Sequence, residues 1–176
     1  MEKGYVQIYT GDGKGKTTAA LGLGLRAVGS GFRVIMFQFL KGSPSGELKS
    51  VTMLGKNFEI IRLAESKKFF WTMNEQEKNE LKKNMQGELE QVRKVLVNKE
   101  CDLLILDEIM AAIHGELLSV EDACALIDLR PPGMEMVLTG RSAPNKLIER
   151  ADLVTEMRCI KHYMDKGVTA RKGIEK

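Results

Sequence analysis

The feature that most constrains the fold is a glycine-rich loop between an apolar segment and an alanine-rich one. Residues 5–9 are apolar, and the loop after them is Thr10-Gly11-Asp12-Gly13-Lys14-Gly15-Lys16-Thr17-Thr18. Glycines let backbone N–H groups point inward around a polyphosphate, and a helix that begins here adds the positive end of its dipole. Lys16 adds a positive charge, and Thr17 offers a hydroxyl to Mg²⁺. The loop is therefore predicted to bind the phosphates of a nucleoside triphosphate such as ATP.

One position departs from the usual phosphate-loop pattern. The pattern G-x-x-x-x-G-K-[ST] requires glycine at position 10, where this chain has Thr10, with Gly11 and Gly13 inside the loop. The departure suggests a non-standard pose of the phosphates. A glycine-rich turn without a ligand is the alternative, but the order of glycine, lysine and two threonines at a strand-to-helix junction disfavours it.

Composition and charge narrow the setting. A chain of 176 residues with 43% hydrophobic residues suits a single domain, 1–176, with a sizeable core. The net charge of +3 is too small to indicate a nucleic-acid partner. The three cysteines form neither a Cys-x-x-Cys pair nor a disulfide framework, and no apolar run reaches the roughly 20 residues of a membrane span. We expect a cytoplasmic protein with no membrane contact and an anionic small-molecule ligand.

Short apolar runs alternate with amphipathic segments, which is typical of βα units that build a parallel sheet covered by helices. Strands are predicted near 5–9, 33–39, 58–62, 102–107, 134–139 and 152–157. The expected fold class is α/β, a P-loop NTPase-like (RecA-like), mostly parallel sheet of about six strands flanked by helices.

Helix signals fill the intervals between the strands. The first helix is predicted at 16–28, with Gly22 and Gly24 packed closely on the sheet. A capping box of Asn74 and Glu77 begins a helix that ends near 98, and a further helix follows Ser119. Residues 40–56 and 63–73 are expected to be irregular.

A second chemical signal is the apolar run Leu103-Leu104-Ile105-Leu106, which ends in Asp107 and Glu108. Ligands of open parallel sheets bind at the carboxyl ends of the strands, so these acids are expected to face the glycine-rich loop and to hold Mg²⁺ directly or through water. Paired acids that merely end a strand at the surface are the alternative for this motif alone.

Other candidates are weaker when the residues are considered alone. Arg141 follows another predicted strand and would neutralise developing phosphate charge, although a surface arginine explains it equally well. Phe69 to Trp71 would cover a planar ligand, stack on single-stranded nucleic acid, or fold over the core. His114 and His162 lack the spacing of a metal site. These residues suggest neither a catalytic triad nor a metal cluster.

Several segments together identify a resemblance that covers nearly the whole chain. The chain resembles the P-loop corrinoid adenosyltransferases, which act on cob(I)alamin or cob(I)yrinic acid a,c-diamide. Many P-loop proteins share the glycine-rich loop, whereas the later segments are more specific. The matching segments are 10–20, Arg26-Ala27-Val28-Gly29, Gln38-Phe39-Leu40-Lys41-Gly42, Asp107-Glu108-Ile109, Leu138-Thr139-Gly140-Arg141, Ala151-Asp152-Leu153-Val154-Thr155-Glu156-Met157, and a late run from Lys161-His162 to Gly173-Ile174-Glu175.

The resemblance implies transfer of the 5′-deoxyadenosyl group of ATP to cobalt in a reduced corrinoid, with triphosphate as the leaving group. Because Co(I) is a strong nucleophile, no protein base is needed. The implied catalytic residues are Lys16, Glu108 and Arg141, and the implied Mg²⁺ ligands are Thr17 with Asp107 or Glu108. ATP is expected to lie reversed in the loop, with its C5′ exposed to cobalt.

The resemblance also implies a corrinoid side of the site and certain partners. Phe69 and Trp71 correspond to aromatic residues that displace the lower ligand of the corrinoid, although Lys68 and Phe70 depart from the family pattern. An electron-donating reductase such as a flavoprotein, and a homodimer, are further expectations. The product would serve adenosylcobalamin synthesis or salvage.

Two other functions remain open from the residues alone. A P-loop kinase or hydrolysing ATPase would use Asp107 or Glu108 to orient a nucleophile and would release ADP. An ATP-gated nucleic-acid-binding module would use the aromatic cluster and the basic tail, and its binding would weaken steeply with salt.

Overall fold

A computed structural model describes residues 2–42, 44–63 and 73–175. Phe69 and Trp71, the predicted corrinoid-binding residues, lie outside the described residues. Six strands form one sheet, and all their pairings are parallel. The strands are β1 (Val6–Thr10), β2 (Val34–Phe39), β3 (Phe58–Leu63), β4 (Leu103–Asp107), β5 (Glu135–Thr139) and β6 (Leu153–Glu156).

Helices of very different lengths connect these strands. In the described part of the chain they are α1 (Lys16–Gly29), α2 (Gly46–Thr52), α3 (Glu75–Asn98), α4 (Ile109–His114), α5 (Val120–Leu129) and α6 (Asn145–Ile148), with 3₁₀ turns at Gly55–Asn57 and Tyr163–Lys166. None of the described helices is long and apolar enough to cross a lipid bilayer.

The strand order, β3-β2-β4-β5-β1-β6, positions the site. After β1 the chain crosses to β2 and β3, and it then returns through β4 and β5 to β6 on the far side of β1. Because every strand is parallel, all six carboxyl ends lie at one edge of the sheet, where ligands of such folds bind. The glycine-rich loop after β1 and the acids at the end of β4 therefore share this edge, with β5 between them.

The centre of the sheet is buried on both faces. Every residue of β2 and of β4 is buried, as the continuous apolar runs of a covered parallel sheet require. One apolar cluster packs α3, α4, α5 and α6 on the first face, and a second cluster packs α1 and α2 on the other. Three polar side chains, Gln38, Asp107 and Thr139, are nevertheless fully buried near the carboxyl edge.

Most of the expected elements are confirmed. Each predicted strand matches an observed one within one residue at either end, and the sheet is wholly rather than mostly parallel. Asn74 and Glu77 exchange the two hydrogen bonds of a capping box, and Ser119 does the same with Asp122.

Two local expectations are wrong. The segment 40–56 is not irregular throughout, because α2 occupies its middle and packs the buried Val51 against the second cluster. A seven-residue helix has too few apolar positions to show a period, and the glycine and proline before it predict a loop. Gly24 is closely packed, as predicted, but Gly22 is not: no atom beyond its own stretch of helix lies within 4 Å of the position that a Cβ of residue 22 would occupy.

Replacement of Gly24 by alanine should destabilise the fold. A Cβ at this position would lie 2.5 Å from Cε1 of Phe58, whose ring is buried in the second cluster. We expect a loss of about 1–3 kcal/mol in the free energy of unfolding, measured by urea denaturation. The control is Gly87→Ala in the exposed interior of α3, where space is open and alanine should add roughly 1 kcal/mol. Equal stability of the two variants would contradict this packing argument.

Candidate functional site

The glycine-rich loop is packed against the chain that follows β6. The N–H of Gly13 donates to the carbonyl oxygen of Met157 at 2.7 Å. Gly11 has a φ of 94°, and a Cβ there would lie 2.4 Å from the same carbonyl oxygen. Both glycines are therefore required by close backbone contact, which packs the loop tightly against the chain after β6.

Thr10 has a structural role at the position where the usual pattern has glycine. It is the last residue of β1, it is 8% exposed, and its hydroxyl accepts a hydrogen bond from the N–H of Ala143 at 3.1 Å. The hydroxyl thereby ties the turn after β5 to the start of the loop. Glycine would leave the partly buried N–H of Ala143 without this partner.

The ammonium group of Lys16 points back into its own loop. It donates to the carbonyl oxygens of Gly11 and Gly13 at 2.6 and 2.8 Å. Burial lowers the pKa of Lys16 and the charge of Arg141 lowers it further, whereas Glu108 and Asp12 raise it. The loop thus holds a partly desolvated cation whose present partners are neutral carbonyls, and an anion in the loop would be a stronger partner.

Four side-chain donors surround the carboxylate of Asp107. Its Oδ1 accepts from the hydroxyls of Thr17 and Thr139 at 2.8 and 2.7 Å. Its Oδ2 accepts from the ammonium of Lys41 at 2.6 Å and from Nε2 of Gln38 at 3.4 Å. The side chain is fully buried, and these donors offset the cost of burying its charge.

Glu108 is positioned by the same network. Its backbone N–H donates to Oγ1 of Thr139 at 2.9 Å, and its φ of 62° turns the chain from β4 into α4. Burial raises the pKa of Glu108, the charge of Asp107 raises it further, and Lys41, Lys16 and Arg141 oppose both effects. Glu108 lines the cavity above the loop, so a cation bound in the cavity would stabilise the charged form of its carboxylate.

Arg141 lies on the turn that follows β5 and is exposed. The ring Nε2 of His114 donates to the backbone carbonyl oxygens of Arg141 and Ser142, at 3.3 and 3.0 Å. His114 therefore holds the turn that presents Arg141. The guanidinium of Arg141 borders the same cavity as Lys16 and Glu108.

A cavity of about 1240 Å³ covers the carboxyl edge of the sheet. Residues 12–18 of the loop form its floor, Leu21 and Leu25 of α1 and Phe58 form an apolar side, and the C-terminal segment contributes Cys159, His162 and Ile174. Its volume exceeds the roughly 300–1,000 Å³ of ordinary small-molecule pockets. There is space for more than one bound group.

The C-terminal segment is anchored by its own side chains. The hydroxyl of Tyr163 donates to Glu175, Arg171 forms an ion pair with Glu175 at 3.1 Å, and the Arg171 guanidinium lies 4.9 Å from the centre of the Tyr163 ring. The basic composition of this tail gave no sign that it would form a wall of the cavity.

The structure brings most of the predicted residues together. Lys16, Thr17, Glu108 and Arg141 line one cavity, and Asp107 contacts it through Thr17. Thr10 and Gly11 are not among the lining residues. The sequence predictions gave no role to Lys41, Gln38 or Thr139. Each of them lies at or just beyond the carboxyl end of a strand, which is where ligands of parallel sheets bind.

The oxygen atoms that would hold a metal ion are few. No cluster of three or more His, Cys, Asp or Glu side chains exists among the described residues. The hydroxyl of Thr17 and the carboxylates of Asp107 and Glu108 supply hard oxygen ligands, and a divalent ion would require further oxygens from a bound phosphate. The arrangement thus suits a metal that arrives with a nucleotide.

Comparison with known proteins finds relatives that match nearly the whole chain. Curated corrinoid adenosyltransferases from Escherichia coli K12 and Salmonella typhimurium LT2 are 33% and 32% identical over 175 residues, which is 99% of this chain and 86% of each relative. The enzyme of the same name from Pseudomonas aeruginosa is 32% identical over 99% of this chain and 84% of its own length. Among solved structures, domain III of the Thermotoga maritima replication initiation protein DnaA has a TM-score of 0.45 and 19% identity, over 87% of this chain and 55% of that chain.

A family model described as ATP:corrinoid adenosyltransferase BtuR/CobO/CobP matches residues 2–175. The match includes the glycine-rich loop, the acids that end β4 and the C-terminal segment that forms a wall of the cavity. The chain therefore belongs to the ATP:corrinoid adenosyltransferase family.

Proposed function

We propose that this enzyme transfers the 5′-deoxyadenosyl group of ATP to the Co(I) centre of a corrinoid and releases triphosphate. The observation that carries the proposal is the cavity at the carboxyl edge, where Lys16 and Thr17 of a phosphate-binding loop meet Asp107 and Glu108 in a chain of this family. Cobalamin and cobyrinic acid a,c-diamide are the candidate acceptors.

The phosphates of ATP would bind in residues 10–18. Backbone N–H groups of the loop and the first turn of α1 provide donors for phosphate oxygens. The ammonium of Lys16 would leave the carbonyls of Gly11 and Gly13 for these oxygens, because a charged acceptor forms the stronger hydrogen bond. ATP would lie reversed, with its C5′ towards the open part of the cavity.

A magnesium ion fits the residues present at the end of β4. The buried carboxylate of Asp107 already has a cationic partner, the ammonium of Lys41 at 2.6 Å, and it accepts from the Thr17 hydroxyl on its other oxygen. Thr17 with Asp107 or Glu108 would hold the ion, which when bound neutralises charge on the leaving triphosphate.

The transfer itself needs little from the protein beyond position and charge. The electron pair of Co(I) forms the bond to C5′, the C5′–O bond breaks, and its electrons leave with triphosphate while cobalt becomes Co(III). Lys16 would stabilise the charge that accumulates on triphosphate, and Arg141 at the cavity border would assist. No proton is removed, so the site needs no general base.

The corrinoid side and the partners complete the proposal. Phe69 and Trp71 would form dry walls that keep a lower ligand from cobalt and so ease the reduction of Co(II). A flavoprotein or similar reductase would supply the electron. A homodimer and a cytoplasmic location also belong to this proposal, and adenosylcobalamin synthesis or salvage would use the product.

An anaerobic assay tests the reaction directly. Purified protein, Mg²⁺-ATP and chemically generated cob(I)alamin should yield light-sensitive adenosylcobalamin and stoichiometric triphosphate, followed by the corrinoid spectrum and by phosphate analysis. Cobyrinic acid a,c-diamide is run in parallel to compare acceptors. Release of ADP without an adenosyl product from either acceptor would instead favour a kinase or ATPase.

Two variants should separate the nucleotide side from the corrinoid side. Lys16→Ala should weaken ATP binding about ten- to a hundredfold, because a charge-assisted contact is lost, as calorimetry would measure. Trp71→Ala should leave ATP binding unchanged and hinder Co(II) reduction. Lys56→Ala, on an exposed turn outside the cavity, controls for loss of one charge. Loss of ATP binding in Trp71→Ala would contradict this division.

Cysteine reactivity should report occupation of the cavity. Cys101 and Cys124 are each 7% exposed, and burial raises the pKa of Cys101 to about 12, so neither should react with a thiol reagent in the folded protein. Cys159 is exposed on the cavity wall and should react alone. Mg²⁺-ATP should slow its alkylation several-fold, and Cys159→Ser should abolish the fast phase. A rate unaffected by ATP would place the nucleotide elsewhere.

A further inference from the structure

Lys41 and Asp107 form an ion pair of 2.6 Å at the edge of the cavity. The reaction proposed above gives Lys41 no role. Lys41 follows β2 after Leu40, whose φ of 58° turns the chain across the carboxyl edge of the sheet. Its side chain is 26% exposed, and it lines the cavity together with the glycine-rich loop. Its ammonium can therefore contact both the buried carboxylate and whatever fills the cavity.

The carboxylate of Asp107 requires a cation. It is fully buried, and an ionised carboxylate in such a place is stable only when charge or several hydrogen bonds compensate it. Hydroxyls compensate Oδ1, whereas Oδ2 accepts from the ammonium of Lys41 at 2.6 Å and, more weakly, from Gln38 at 3.4 Å. Lys41 thus supplies the one formal positive charge in contact with Asp107 among the described residues.

A divalent ion and the Lys41 ammonium would compete for the same carboxylate. The ion would be held by Asp107 together with Thr17, and two cations that share one carboxylate at contact distance repel each other strongly in a partly buried site. The flexible four-carbon stem of Lys41 lets its ammonium swing without movement of the backbone. The nearest new anion would be the triphosphate in the same cavity.

We propose that Lys41 is an exchangeable internal cation, which neutralises Asp107 through the observed ion pair and passes to the triphosphate when the metal–nucleotide complex binds. The inference rests on the proposed function, because it needs a triphosphate in the loop. It assigns a phosphate-binding role to Lys41 and explains why a buried carboxylate can await its metal without loss of the fold. The same exchange would discourage metal binding before the nucleotide arrives.

Metal binding without nucleotide is the first test. Mn²⁺, observed by electron paramagnetic resonance, should bind the nucleotide-free wild type weakly and should bind Lys41→Met at least about tenfold more tightly, because the competing ammonium is gone. Lys49→Met is the matched control, since Lys49 is exposed on α2, outside the cavity, and its loss removes the same charge. An unchanged Mn²⁺ affinity in Lys41→Met would overturn the exchange.

Binding of inorganic triphosphate, at a Mg²⁺ concentration that saturates the metal site of each variant, is the second test. Calorimetry should show about tenfold weaker binding in Lys41→Met, because one charge-assisted contact is lost, and no change in Lys49→Met. Lys41→Gln keeps a donor for Asp107 and should show the same weakening if Lys41→Met folds poorly. Equal triphosphate affinity in wild type and the Lys41 variants, with only a lower Tm, would reduce Lys41 to a structural ion pair. Failure of the wild type itself to bind triphosphate would instead refute the nucleotide site, and this inference with it.

Discussion

The carboxyl edge of the sheet depends on one buried carboxylate. Asp107 ends β4, and the groups that compensate its charge come from three other parts of the fold: Thr17 from α1, Lys41 from the chain after β2, and Thr139 from β5. A buried charge that lost these partners would cost several kcal/mol. The need to satisfy Asp107 therefore draws these strand ends into one arrangement beneath the cavity.

The architecture was largely predictable because its signals are local and repeated. Six apolar runs of strand length, separated by helical segments, indicate a covered parallel sheet, and the capping residues of α3 and α5 mark where those helices begin. The short α2 could not be predicted, since its seven residues are held by contact of Val51 with a distant cluster rather than by a period of their own. Strand order also depends on contacts between distant segments. The sequence indicated only that the glycine-rich loop and the acids after β4 would share the carboxyl edge of the sheet, because ligands of parallel sheets bind there.

The candidate site was predictable where chemistry and position coincide, and not where it depends on contacts between distant segments. Lys16 and Thr17 begin α1 within a strong phosphate-loop pattern, and the two acids lie at the end of β4, so the sequence indicates them directly. The bond from Ala143 to Thr10 explains a departure from the pattern that the sequence alone attributes to the ligand. Lys41 and the C-terminal wall belong to segments that resemble the family but have no recognised ligand-binding pattern, and only the fold shows that they line the cavity.

The internal contacts of two lysines also indicate how the proposed phosphate site would select for a complete triphosphate. Its two central cations have internal partners: Lys16 contacts carbonyl oxygens of its own loop, and Lys41 contacts Asp107. A ligand gains only the difference between its own contacts and those it displaces, so a short anion that reaches one cation gains little. In the proposed complex, a triphosphate with its metal would replace both sets of contacts at once, because the metal would take over Asp107 while the phosphates would contact both lysines. This selectivity would arise because the contacts of Lys16 and of Lys41 are replaced together. No side chain would need to measure the length of the phosphate chain.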